Sequence, residues 1–251
     1  MINKDRTNKN NKSKIIIITI TFLFLINIPI GLTTNNGNFD IIEGPIGYWS
    51  FDNQTNIGHD DSGNNHQGIN HGATWIADGL SKGGLDFDGV NDYINIPDTS
   101  DFEFNNQSIT FSCWVQIKDN PDLYRRFILL KGTGGSKPSI SLQKFRSSLD
   151  DGRIAFEVHD FNGESCRAAS IKDGDELPKN KWIFVVGVID YPNYIKLYLD
   201  GELQENVPAT TYDMNEATNL HLKIGVTPYG NVPGWHNGLI DEVRIYDRAL
   251  S

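Results

Sequence analysis

Residues 238–251 read GLIDEVRIYDRALS. The stretch has the Leu, Ile, Val and Tyr content of a β-strand, yet two carboxylates, Asp241 and Glu242, stand side by side inside it. Successive side chains leave a strand by opposite faces, so the pair is expected to divide, one carboxylate to each face. On that reading they cannot face one another across a substrate. Asp241 is expected to serve as a ligand or a strap for the start of the fold, and Glu242 to face solvent.

The same period of two runs upstream. From Pro45 onward, short apolar segments alternate with polar residues and are broken by turn residues. Strands are predicted over 47–51, 85–87, 93–96, 108–117, 127–131, 140–143, 153–158, 166–171, 182–189, 195–199, 220–224 and 239–246. Asp200-Gly201, between IKLYL and ELQENV, is a two-residue hairpin signal, because Gly accepts positive φ at such a turn. No segment after residue 45 shows a sustained helical period. Many short strands with regular turn signals predict an all-β fold, a sandwich of two antiparallel sheets.

Composition supports a folded domain, since 38% hydrophobic residues suffice for a core. The net charge is -10, and the basic residues Lys4, Arg6, Lys9, Lys12 and Lys14 face only Asp5 within residues 1–14. The remainder is therefore more acidic than the total. A body of that charge repels phosphate backbones, so nucleic acid is excluded as a partner.

Residues 15–32, IIIITITFLFLINIPIGL, follow that basic n-region as an apolar run. The pattern is that of a signal peptide or a retained membrane anchor. Both place the rest of the chain outside the cytoplasm, secreted or at the cell surface, with contact to the membrane only through this segment. Residues 33–44 read as a polar tether and linker, and 45–251 as one domain. Of the two cysteines, Cys113 is in phase with Ile109, Phe111, Val115 and Ile117 and is expected in the core. Whether it pairs with Cys166 is left open.

GYWSFD, DSGNNHQGINHGATW, GGLDFDGVNDYINIPD, ITFSCWVQI, NKWIFVVGVID with IKLYLDGEL, and the closing GLIDEVRIYDRALS occur in order over residues 45–251. Together they resemble a laminin-G-like (LamG-like) module of the concanavalin-A-like lectin/glucanase jelly rolls. The resemblance implies two sheets of six or seven strands around an apolar core. It does not fix the function, because such folds carry lectins, adhesins, hydrolases and spacers alike.

In hydrolases of this type the catalytic carboxylates share one strand as Glu-x-Asp-x-(x)-Glu, and no Glu here has an Asp two residues on. Glu157-Val-His-Asp160 has the wrong spacing. A polysaccharide hydrolase or lyase is therefore the weakest reading, and no catalytic residue is assigned. The resemblance also implies a structural Ca2+ tying the first strand and its loop to the last strand. Asp52, Asp61 and Asp241 are the expected side-chain ligands, all hard oxygen donors. Ordinary Asx turns explain the same loop equally well.

Sugars need flat aromatic faces beside directed hydrogen-bonding groups. The loop 227–238 offers Tyr229, Asn231, Trp235 and His236, and residues 119–127 add Tyr124 and Arg126. Trp235 packing over a sheet edge is the competing explanation. His59, His66 and His71 lie in polar turns and are expected in solvent. The domain is thus expected to bind carbohydrate or a cell-surface protein, or else to act as a spacer in a larger exported protein.

Overall fold

The computed structural model describes residues 44–104, 106–118, 126–132, 139–147, 150–159, 165–170, 177–209, 220–227 and 234–251, with two short strands before them. Those strands, β1 (Leu32–Asn35) and β2 (Asn38–Ile41), pair antiparallel in a unit of their own, Met1–Ile42. They fall in and beside the expected tether. Residues 1–31, which carry the basic leader and nearly all of the apolar segment, lie outside the described residues. Among the described residues no helix is long and apolar enough to cross a membrane.

The second unit, Glu43–Ser251, is the expected sandwich of two antiparallel sheets. One sheet has seven strands in the order β12 (Ser165–Ala169), β11 (Asp150–His159), β10 (Ser139–Ser147), β9 (Arg126–Gly132), β16 (Leu222–Ile224), β7 (Tyr93–Ile96) and β4 (Ile69–His71). The other runs β15 (Glu202–Pro208), β14 (Tyr194–Leu199), β13 (Trp182–Asp190), β8 (Ile109–Ile117), β19 (Asn237–Tyr246), β6 (Gly84–Asp88) and β5 (Thr74–Ile76). Its eighth strand, β3 (Gly47–Trp49), pairs with β19 past the end of β6. A small hairpin, β17 (Val226–Thr227) with β18 (Gly234–Trp235), stands apart from both sheets.

Alternation places the core. Ile183, Val185, Gly187 and Ile189 of β13 point into the core, where Gly187 meets Phe156 of β11. Gly187 is small for a reason: a Cβ there would lie 2.4 Å from the Phe156 ring. That ring in turn meets Phe111 edge-on at 5.9 Å. The β14–β15 hairpin turns on Asp200 and Gly201 at φ 51° and 82°, as its sequence requires. Cys113 and Cys166 are both buried free thiols.

The closing strand departs from simple alternation. Asp241 pairs with Trp114 and Arg244 with Ser112, so Glu242 and Val243 together oppose Cys113. This is a β-bulge, with Glu242 at φ 55°. Before it Ile240 faces the core; after it Val243 and Ile245 do, all at 0% exposure. The expected division of the acidic pair is therefore wrong. Glu242 accepts the Tyr48 hydroxyl at 2.9 Å and pairs with Arg244, which lies 4.2 Å over the Tyr48 ring. Both carboxylates emerge on the outer face of the eight-stranded sheet, and Glu242 is covered rather than in free solvent.

Candidate functional site

The Asp/Asn-rich loop after β3 is organised by Asp60, which is 3% exposed. Its carboxylate accepts the backbone N–H groups of Tyr48 at 3.0 Å, Ser62 at 2.9 Å and His66 at 2.7 Å. Asp61 accepts from the Ser50 hydroxyl at 2.7 Å and lies 3.7 Å from His59. His66, expected in solvent, is buried. Its ring packs against Phe102 at a tilt of 53° with centroids 4.6 Å apart, and its carbonyl accepts the Trp49 indole N–H at 3.0 Å.

Asp52 and Asp241 meet a different loop, Gly79–Gly84. Asp52 accepts the Gly83 N–H at 3.1 Å and the Lys82 ammonium at 3.2 Å. Asp241, 1% exposed, accepts the Leu80 and Glu242 N–H groups, each at 2.7 Å, one on each oxygen. Burial pushes its pKa up to about 7; the carboxylates of Glu242 and Asp52 add to the rise and the two amides oppose it. The fold thus gathers two of the three expected metal ligands on one loop and leaves Asp61 with Ser50. Among the described residues, no group of three or more His, Cys, Asp or Glu side chains is placed to hold a metal ion.

Of the expected ligand-binding residues, Tyr124, Tyr229, Asn231 and the side chain of Arg126 lie outside the described residues. His236 turns inward, 2% exposed and edge-on to Phe87 at 5.9 Å, so it does not belong to a surface loop as expected. Trp235 is half-buried and faces Tyr93, with ring centroids 6.0 Å apart. Tyr93 stacks on His71 at 4.3 Å with planes 5° apart, and Lys223 Nζ lies 6.0 Å from its centroid. Burial pulls the Lys223 pKa down.

This cluster lies on the outer face of the seven-stranded sheet, since Ile94, Ile96, Leu222 and Ile224 point the other way, wholly buried. Strand register continues that face sideways. Asn95, Lys223, Ser141, Glu157 and Arg167 fall in one row across β7, β16, β10, β11 and β12, with Leu130 of β9 between Lys223 and Ser141. Sequence reasoning assigned none of these five to a site. The signal was present as the polar half of SISLQK and AFEVHD, whose apolar half is core.

No curated protein matches the sequence. Solved structures do match in fold. Domain 4 of AbnA, a GH43 extracellular arabinanase from Geobacillus stearothermophilus in complex with arabinotriose, aligns with TM-score 0.62 at 19% identity, covering 82% of this chain and 94% of that one. The receptor binding domain of botulinum neurotoxin C/D mosaic serotype aligns with TM-score 0.60 at 15% identity, over 82% of this chain and 48% of that one. A chain of botulinum neurotoxin type C, whose cell entry depends on interaction with two ganglioside molecules, aligns with TM-score 0.58 at 15% identity, over 88% and 47%. The chain thus spans about half the length of the neurotoxin domains. The sequence family described as the concanavalin A-like lectin/glucanases superfamily matches residues 88–251. With its two antiparallel sheets and that match over well more than half its length, the chain belongs to the concanavalin A-like lectin/glucanase superfamily.

Proposed function

We propose that the domain is a non-catalytic carbohydrate-binding module acting outside the cell, and that sugar stacks on the cluster of His71, Tyr93 and Trp235. The carrying observation is this run of three rings beside Asn95 and Lys223 on one sheet face. A sugar's C–H face packs on an aromatic plane, while its hydroxyls need directed polar partners. The structural neighbours that carry arabinotriose or depend on gangliosides support a glycan ligand. The basic leader and apolar segment at the front support export. A non-catalytic role is supported by the last strand, where Asp241 and Glu242 are engaged by amides, Tyr48 and Arg244.

Trp235→Ala is expected to weaken polysaccharide binding about tenfold with little change in melting temperature. Affinity gel electrophoresis against arabinan, xylan, β-glucan and galactan reads this directly. Unchanged retardation of a folded variant would remove the aromatic cluster from the site.

A structural Ca2+ held by Asp52 and Asp241 is part of the same proposal, supported by two carboxylates that meet at the Gly79–Gly84 loop and by the high proton affinity of Asp241. The folded chain holds the Asp241 proton more tightly than the unfolded chain does. In chelator, stability from this group is therefore complete below about pH 4 and lost as pH rises through about 7. Calcium competes with that proton, so its stabilisation should grow across the same window. Thermal melts from pH 5 to pH 8, with calcium and with chelator, test this; coincident melts at pH 8 would discard the metal.

A further inference from the structure

The outer face of the seven-stranded sheet carries a second polar cluster, on β10 and β11. Glu157, 5% exposed, is at its centre. Gln143, at 0% exposure, donates its amide N–H to one carboxylate oxygen, and His159 Nε2 lies 3.3 Å from the other. Ser141, also buried, pairs across from Glu157.

These contacts decide what the remaining atoms offer. An amide whose nitrogen is committed presents its oxygen as an acceptor. A neutral imidazole whose Nε2–H points at a carboxylate presents Nδ1 as an acceptor. Gln143 Oε1 and His159 Nδ1 are both buried, and among the described residues neither has a hydrogen-bond partner. An unsatisfied buried acceptor is costly, and two flanking one carboxylate match the donors that a hydroxyl-rich ligand brings.

We propose that Gln143, Glu157 and His159 form a second sugar subsite for a neutral, hydroxyl-rich ring, and that the ligand is a linear glycan reaching it from Trp235. The inference rests on the carbohydrate reading above. Two acceptors on either side of a carboxylate match O–H donors at separate points of one ring. A ligand carboxylate only accepts, so it would find no donor in Gln143 Oε1 or His159 Nδ1. Tyr93 on β7 is three to four strand spacings from β10 and β11. That is roughly 14–19 Å at about 4.8 Å per strand, a distance that three to four sugar rings of about 5 Å cover.

The test is calorimetric titration of the full chain with neutral arabino-, xylo- and cello-oligosaccharides of increasing length, and with oligogalacturonides. Affinity for a neutral series is expected to climb about tenfold or more from the disaccharide to about the tetrasaccharide and then level off. Gln143→Met and His159→Phe should each abolish that climb and leave disaccharide affinity unchanged, whereas Trp235→Ala should weaken every length. A flat length profile, a climb that survives both variants, or preference for oligogalacturonides overturns the subsite while leaving the aromatic site standing. Should one variant not fold, the wild-type profile and the other variant decide. Failure of every neutral series to bind overturns the carbohydrate reading and this inference with it.

Discussion

Asp60→Ala is expected to destabilise the domain by about 3–5 kcal/mol, among the largest effects of any single substitution here. One carboxylate serves three backbone donors, from Tyr48, Ser62 and His66, in a site only 3% exposed. Removing it strands all three, and alanine leaves too little room for enough water to replace them. The loss spreads because the loop also holds Trp49, the largest side chain of β3, through the His66 carbonyl. Asp60→Asn keeps the shape and part of the accepting capacity, so it should cost distinctly less. Urea unfolding of both variants is the measurement; a shift under 1 kcal/mol for the alanine variant would show that the loop is not built around this group.

Gly187→Ala is expected to cost about 3 kcal/mol, and Gly187→Val to prevent folding, because overpacking a close-packed core cannot be relieved locally. The added Cβ would lie within 2.4–2.7 Å of three atoms of the Phe156 ring. The ring has no easy retreat, being edge-on to Phe111, whose own strand is paired to Gly187. Phe156→Leu should therefore recover part of the loss when combined with Gly187→Ala. A double-mutant cycle measures that coupling. Simple additivity of the two losses would mean that the sheets do not meet at this point.

Gly187 also shows what could be read in advance. A glycine inside the apolar run VVGVID marks a close approach, and alternation gave the long strands to within a few residues of their observed ends. The strands β4 and β5 escaped, their residues being exposed or half-buried with no apolar alternation to read, and β15 was indicated only by the hairpin turn before it. His71 is exposed as expected, but His66 was misplaced because its surroundings come from distant chain. His66 lies in a polar stretch, yet Phe102 and Asp101, at 3.0 Å from its Nε2, cover it. The polar half of β10 and β11 was visible as alternation, but not that these residues would be buried and linked to one another. Glu242 was misplaced because strict alternation was carried through a residue at positive φ.

The bulge at that residue also constrains how such a domain can be recombined or redesigned. β19 pairs with β6 before it and with β3 after it, so each half of the strand keeps its own parity. Deleting Glu242 would close the bulge: Val243 would then oppose Cys113 alone and, like Ile245, would still face the core. The contacts of Glu242 with Tyr48 and Arg244 would be lost, whereas one further inserted residue would turn Ile245 outward. A splice between this chain and a relative should therefore fall before Leu239 or after Tyr246, and the segment between should be exchanged whole.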